Sequence, residues 1–202
     1  MKYLKLWPLG GVFIIVVVAN AIGGSFHAQN RVPPPPPPFQ VDARIPASLK
    51  AFTSQSTAIV LGVVESRFPA SERQSGLSTD SLLHVTRVLK GPPTLNKIVV
   101  AQLGGESNGR VEYFGQFELM KLGGQYVLFL REVPEKYMPS LPVREGAARY
   151  EILTYAGQIL LDGDKLGMSP DLPFRADYLR QTPSQLLAEI EGYVSADAKV
   201  TK

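Results

Sequence analysis

Cysteine is absent from the 202-residue chain. Its absence excludes disulfide bonds, thiolate metal sites, a cysteine nucleophile and a lipid anchor on cysteine. Histidine is nearly as scarce, since only His27 and His84 occur. A zinc site needs three or four ligands, and the body of the chain offers a single histidine as a possible ligand. We therefore predict neither a metal ion nor any other cofactor for this protein.

The chain also has only a small excess of positive over negative charge. The chain has 21 lysines and arginines against 18 aspartates and glutamates, a formal net charge of +3. Lys2 and Lys5 lie in the N-terminal head, so the remainder of the chain is almost neutral. Proteins that bind nucleic acid carry a clustered excess of positive charge. The composition therefore argues against nucleic acid as a partner.

Residues 1–28 have the order of a secretory signal, with two lysines, an apolar run and then small residues. Ala19 and Ala21 supply the small side chains that a signal peptidase accepts, which predicts cleavage after Ala21. An uncleaved membrane anchor is the alternative, because Leu6–Gly24 approaches the roughly 20 residues that span a bilayer. With either outcome we expect the rest of the chain to be exported, as an envelope protein that is membrane-anchored, periplasmic or secreted.

Six consecutive prolines, Pro33–Pro38, lie in a linker that we place at residues 29–45. A run of this kind adopts a polyproline II helix at about 3.1 Å per residue, so it spans roughly 19 Å as a stiff rod. We interpret it as a spacer that holds the following domain away from the head. The alternative is a ligand for a proline-binding domain.

We assign residues 46–180 to one domain, which opens with a short helix around Leu49 and Phe52. The β-branched run Thr57–Ser66 predicts a strand, and Gly62 in its middle predicts a bulge or bend. A polar loop is expected at Phe68–Thr79. The stretch "SLLHVTRVLKGPPTLNKIVVAQL" then reads as strand, turn and strand.

Later segments complete the β pattern. The stretch "QYVLFLRE" is the clearest strand, with Tyr126, Leu128 and Leu130 opposed to Val127 and Phe129. The stretch "ARYEILTYAGQILLD" predicts a hairpin that turns at Ala156–Gly157. In residues 181–202 the apolar residues recur with helical period. Thr182 is the expected cap, Pro183 the first helical residue and Gln185 the third, which together predict a C-terminal amphipathic helix.

These elements predict a mainly β fold, a small antiparallel OB-like barrel of five to seven strands with a short N-terminal helix and a C-terminal amphipathic helix. The succession "AIVLGVVES", "LLHVTRVLKG", "NKIVVAQLGG" and "GGQYVLFL" resembles the netrin/TIMP-like OB-fold domains of exported bacterial proteins, over roughly Thr57–Asp162. The resemblance implies the fold but no catalytic signature. Relatives that inhibit metalloproteases use an N-terminal cysteine, which this chain lacks, so the inhibitory role is not carried over.

A hydrolytic function would have to use Ser81 and His84, near Asp80. Proximity in sequence is not the geometry of a catalytic triad, which needs the three groups brought together in space beside an oxyanion hole. A strand histidine next to polar neighbours is the ordinary interpretation of His84. We therefore predict no enzymatic activity, with an envelope hydrolase as the alternative.

An exported binding or assembly module, with an envelope protein as its partner, is the function that the sequence favours. OB barrels bind through one sheet face and the flanking loops, which here are Phe68–Thr79 and Glu132–Arg149. Aromatic and arginine side chains anchor interfaces. The candidate binding residues in these loops are Phe68, Arg73, Tyr137 and Arg144. A purely structural, anchored spacer protein is a further alternative.

Overall fold

A computed structural model describes residues 44–73, 76–112, 118–133 and 147–200, so the predicted head and the proline run lie outside the described residues. The elements are α1 (Leu49–Gln55), β1 (Ala58–Arg67), β2 (Ser71–Arg73), β3 (Gly76–Lys90), β4 (Lys97–Leu103), β5 (Gly105–Ser107), β6 (Arg110–Glu112), β7 (Gln125–Glu132), β8 (Ala148–Ile152), β9 (Gln158–Asp162), β10 (Lys165–Gly167), α2 (Arg175–Tyr178) and α3 (Pro183–Val200). The predicted mainly β class, with a helix near each end of the domain, is confirmed. Within these ranges no helix is both long and apolar enough to cross a membrane.

Five strands pair in a ring in the order β1, β3, β4, β8, β7 and back to β1. Strand β1 closes the ring because it pairs with β3 on one side and with β7 on the other. The pairs are antiparallel except that of β4 with β8, which is parallel. A closed ring with an odd number of strands cannot alternate direction throughout, so the prediction of purely antiparallel pairing is wrong for this contact.

Two apolar clusters stabilise the fold. One joins alternate residues of the ring strands, such as Val60, Leu83, Val100 and Leu128. The other covers the opposite side of β1 and β7, where α1, α3 and the chain around Phe174 pack. Burial of apolar surface in two layers around one sheet supplies the main driving force for folding.

Aromatic contacts organise the outer cluster. The rings of Phe52 and Phe129 meet edge to face at 5.1 Å between centroids, and Phe52 meets Phe174 in the same way at 5.9 Å. Since Phe52 lies on α1 and Phe129 on β7, these contacts fix the N-terminal helix against the ring.

Gly62 lies at an irregularity of β1. The pairing register with β3 shifts between Leu61 and Gly62, which confirms the predicted bulge. A Cβ atom at residue 62 would lie 2.9 Å from the carbonyl oxygen of His84. Glycine therefore allows β3 to approach β1 more closely than a side chain would permit.

The starts of α1 and α3 follow local rules. Ser48 caps α1, because its Oγ accepts a hydrogen bond from the Ala51 amide at 3.2 Å. At α3 the Thr182 amide donates to Gln185 Oε1 at 2.8 Å, and the Gln185 amide donates to Thr182 Oγ1 at 3.4 Å. This reciprocal pair is a capping box, as the sequence predicts.

Two local predictions are wrong. The segment Phe68–Thr79 is not simply a loop, because β2 pairs with the start of β3 between Ser71 and Ser78. Strands β8 and β9 do not form a hairpin, because both pair with β7 instead. At this crossing Phe129 of β7 receives a hydrogen bond from the Leu153 amide and donates one to the Gly157 carbonyl, each at 2.9 Å. Strand β7 therefore lies between β8 and β9 and forms backbone hydrogen bonds with both.

Candidate functional site

A groove opens at the end of the ring where β1 ends and β5 begins. We call it the ring-end groove, and its volume is about 330 Å³. That volume falls at the lower end of the roughly 300–1,000 Å³ of small-ligand sites. Its lining residues are Arg67, Phe68, Pro69, Ala70, Thr79, Gly105, Glu106, Val111, Glu118 and Leu119.

Phe68 supplies an aromatic surface to this groove. The ring strands hold its backbone, because the Phe68 amide donates to the Asp80 carbonyl of β3 at 2.9 Å. The neighbouring Arg67 donates through Nη2 to the Met120 carbonyl at 2.9 Å. The Phe68 side chain is half-buried. A residue whose backbone is held by a sheet loses less conformational freedom when a ligand binds than a residue on a mobile loop.

Gly105 forms one wall of the groove at the start of β5. Its φ is +133°, and a Cβ atom there would overlap Thr79 Oγ1 and the Ala70 Cβ. The Thr79 hydroxyl donates to the Gly104 carbonyl at 2.7 Å, which holds this wall against β3. The glycine pair at residues 104 and 105 therefore lets two backbone segments meet at the site.

A second hollow of about 180 Å³ adjoins the ring-end groove. Glu118 and Leu119 line both, so they form a ridge between the two. Backbone contacts hold this ridge: the Lys121 amide donates to Tyr126 Oη at 2.9 Å, and Gln158 Nε2 donates to the Glu118 carbonyl at 3.1 Å. The second hollow is also lined by Tyr126, Leu160 and Met168.

The charged side chains of the groove are carboxylates and one guanidinium. Glu106 and Glu118 are both exposed. Glu118 pairs with Lys121 at 3.3 Å on the ridge, where both side chains remain largely in solvent. An exposed ion pair of this kind contributes little stability and exchanges readily with another charge. The groove therefore offers an apolar floor with two accessible carboxylates at its rim.

Arg73, a predicted binding residue, is buried. Its Nη2 lies 3.5 Å from Asp80 Oδ1, and its side chain is 2% exposed. Asp80 also pairs with Arg149, whose side chain is 3% exposed. Burial lowers the pKa of Arg73, and the nearby Asp80 carboxylate opposes that effect. Arg73 is thus placed inside the fold, away from the surface where the sequence interpretation put it.

A second ion pair extends this buried charge cluster. Arg131 Nη2 of β7 lies 3.5 Å from Glu151 Oε2 of β8. Burial raises the pKa of Glu151, while Arg131 and Arg73 lower it. Carboxylates and guanidiniums alternate across the sheet in this cluster, and the arrangement supports the structure of the ring rather than forming a surface for a ligand.

Ser81 and His84 are not brought together. They lie three residues apart on the regularly paired part of β3, so their side chains point to opposite faces. Ser81 is fully buried. The His84 side chain is 52% exposed, and its Nδ1 lies 3.9 Å from Glu65 Oε1. The arrangement therefore lacks the contact between nucleophile and base that a hydrolase needs.

Neither a model of a known protein family nor a curated protein matches this chain. The resemblance to netrin/TIMP-like domains therefore stays a prediction. Across the described ranges, no group of three or more histidines, aspartates and glutamates is placed to hold a metal ion.

Of the four predicted binding residues, Phe68 lines the groove. Tyr137 and Arg144 lie outside the described residues. Sequence reasoning missed Val111, which is 47% exposed in the groove. An apolar residue directly after the turn "SNGR" is the available signal, but Phe68 lies far earlier in the chain and only the fold places it in the same groove as Val111.

Proposed function

We propose that this protein is an exported, non-catalytic binding or assembly module of the cell envelope. The ring-end groove carries the proposal, because it combines an apolar floor, an aromatic side chain and accessible carboxylates on a fixed frame. Aromatic residues in partly enclosed pockets contribute a disproportionate share of binding energy at interfaces. The ligand is expected to be a segment of another envelope protein that places an apolar side chain against Phe68.

The frame of the groove supports this proposal. The backbone of Phe68 is tied to β3, and that of the ridge is tied to β7 and β9. A preformed groove binds with a smaller entropic cost than a mobile loop. The separation of Ser81 from His84 gives the hydrolase alternative less support.

Recovery of a partner from native envelope tests the proposal. Full-length wild-type protein is used as bait beside Phe68→Ala and the matched control Leu179→Ala, since Leu179 is 51% exposed but does not line the groove. We expect one protein to be recovered by wild type and Leu179→Ala and lost with Phe68→Ala. Identical recoveries with all three baits would remove the groove from the proposed function. They would favour the alternative of a structural spacer.

Export is tested separately. The charge-free apolar run and Ala19–Ala21 support it. A fusion of residues 1–45 to a reporter that is active only outside the cytoplasm should be active. A stable but silent fusion would contradict export. N-terminal sequencing of the mature protein then distinguishes cleavage after Ala21 from a retained membrane anchor.

A further inference from the structure

The hairpin of β5 and β6 turns at Asn108 and Gly109. Ser107 pairs with Arg110, so these two residues alone form the turn. Both have a positive φ, 52° at Asn108 and 76° at Gly109. A two-residue turn with positive φ at both positions is of type I′, for which Asn-Gly is a preferred sequence. The turn therefore explains why asparagine is followed by glycine here.

The same pair of residues brings an electrophile next to a nucleophile. The side-chain amide carbon of an asparagine can be attacked by the backbone nitrogen of the next residue, and an intramolecular attack of this kind needs no encounter in solution. At this turn both residues are exposed. A Cβ atom on Gly109 would have nothing within 4 Å beyond its chain neighbours, and the Gly109 amide takes no part in the strand pairing. The nitrogen is therefore open to the Asn108 side chain.

We propose that Asn108 is a site of spontaneous deamidation, with the Gly109 backbone nitrogen as the nucleophile. That nitrogen gives up its proton and forms a bond to Asn108 Cγ, while the bond from Cγ to the side-chain nitrogen breaks. Ammonia leaves, and a cyclic imide remains. Water then opens the imide at Cγ to give aspartate, or at the backbone carbonyl carbon to give isoaspartate. The inference is independent of the proposed function.

The native hairpin allows the backbone rotation that the attack requires. Strands β5 and β6 have three residues each, and an isolated two-stranded ribbon is marginally stable at best. Beside the turn, Arg110 pairs with Glu72 at 3.7 Å, but both side chains are largely in solvent and the pair contributes little. A firmer contact lies at the other end of the hairpin, where the Leu77 amide donates to the Glu112 carboxylate. The tip can therefore open while the base stays attached to β3.

Deamidation changes one wall of the ring-end groove. Isoaspartate adds a carbon atom to the backbone at the turn, so the pair of Ser107 with Arg110 cannot keep its register. The next pair along the hairpin is Glu106 with Val111, and both of these residues line the groove. Conversion of Asn108 at the surface is therefore expected to displace residues of the groove.

Incubation of the purified full-length protein at mildly alkaline pH tests the inference. Peptide mass spectrometry measures the gain in mass at each asparagine, and chromatography separates isoaspartate from aspartate. Asn96 is an internal control: it is also exposed, but its carbonyl accepts a hydrogen bond from the Val85 amide at 2.8 Å and Lys97 follows it. We expect Asn108 to convert at least about tenfold faster than Asn96, equivalent to a barrier lower by about 1.4 kcal/mol.

Gly109→Ala is the matched variant. Its methyl group shields the backbone nitrogen whether the hairpin is closed or open, so conversion of Asn108 should slow by about tenfold and that of Asn96 should not change. Equal rates at Asn108 and Asn96 in the native protein, or an unchanged rate at Asn108 in Gly109→Ala, would overturn the inference. Conversion of Asn108 in urea but not in native buffer would overturn it as well, because the folded turn would then protect the side chain.

Discussion

Arg149 of β8 and Asp80 of β3 form an ion pair in which each side chain is 3% exposed. The two residues are 69 positions apart in the sequence. The same carboxylate lies 3.5 Å from Arg73, so Asp80 contacts two buried guanidiniums. The pair therefore ties the β2–β3 hairpin to the last strand that enters the ring.

We expect Asp80→Asn to lower the free energy of unfolding by about 3–5 kcal/mol, because it removes the carboxylate that two buried guanidiniums contact. Urea denaturation measures the change. The matched control is Glu72→Gln, which removes an exposed ion pair with Arg110 at 3.7 Å. Its effect should be no more than about 1 kcal/mol. Equal, small losses for both variants would contradict the buried arrangement.

Adding a side chain should destabilise the protein at one glycine and stabilise it at another. At Gly62 a Cβ atom would lie 2.9 Å from the His84 carbonyl oxygen, so Gly62→Val should destabilise the protein by about 1–3 kcal/mol. At Gly192 of α3 a Cβ atom would have no described residue outside the local helix backbone within 4 Å, and Gly192→Ala should stabilise the protein by roughly 0.5–1 kcal/mol through helix propensity. Thermal unfolding midpoints report both. An unchanged midpoint for Gly62→Val would argue against the close approach of β3.

Alkaline pH should destabilise the contact between α2 and α3. Tyr178 Oη donates to Glu189 Oε1 at 2.6 Å, and Tyr193 Oη donates to the same atom at 2.7 Å. Burial, followed by the hydrogen bond to Glu189, raises the pKa of Tyr178. The hydrogen bond to Glu189 is the main cause that raises the pKa of Tyr193.

Because the folded state holds these protons more tightly than the unfolded state, the stabilisation is complete below the unfolded pKa of about 10 and is lost as pH rises beyond it. Unfolding free energies measured between pH 8 and 11 should fall at the upper end of this range. Tyr178→Phe should make that fall shallower. A wild-type curve that is flat to pH 11 would be incompatible with the tyrosine–carboxylate cluster.

Removal of two hydroxyl groups of β3 should change the stability of the protein in opposite directions. Ser81 Oγ is buried and has no hydrogen-bond partner among the described residues, so Ser81→Ala should be neutral or stabilise the protein by about 1 kcal/mol. Thr79 Oγ1 donates to the Gly104 carbonyl at 2.7 Å, so Thr79→Val should destabilise by about 1 kcal/mol. Chemical denaturation compares them. A Ser81→Ala variant that loses a hydrolytic activity of the wild type while remaining folded would instead favour the hydrolase alternative.

Local patterns predicted the elements whose determinants are local. The Thr182–Gln185 capping box depends on residues three positions apart, and the bulge at Gly62 depends on a missing side chain, so each is readable in a short window of sequence. The strand Gln125–Glu132 is also readable, since its unbroken apolar run reflects burial on both faces.

Long-range pairing was not readable in the same way. The hairpin predicted around Ala156–Gly157 assumed that neighbouring strands pair, whereas β7 lies between them. The prediction of Arg73 at the surface is wrong because its contact with Asp80, and that of Arg149 with the same carboxylate, form only in the folded sheet. The groove was not predicted for a related reason. Phe68 and Val111 come together to line it only after the ring has formed.

Closure of the ring by β1 has a consequence for the order in which the protein can fold. Strand β1 can pair with β7 only when the segment Gln125–Glu132 is available, because Ala58 pairs with Leu130 and Val63 with Gln125. A ribosome that has made the chain as far as β4 has therefore produced a sheet with two unsatisfied edges. Contacts between such distant segments form slowly. The ring can therefore close only after Gln125–Glu132 has been synthesised, which is well past the middle of the chain.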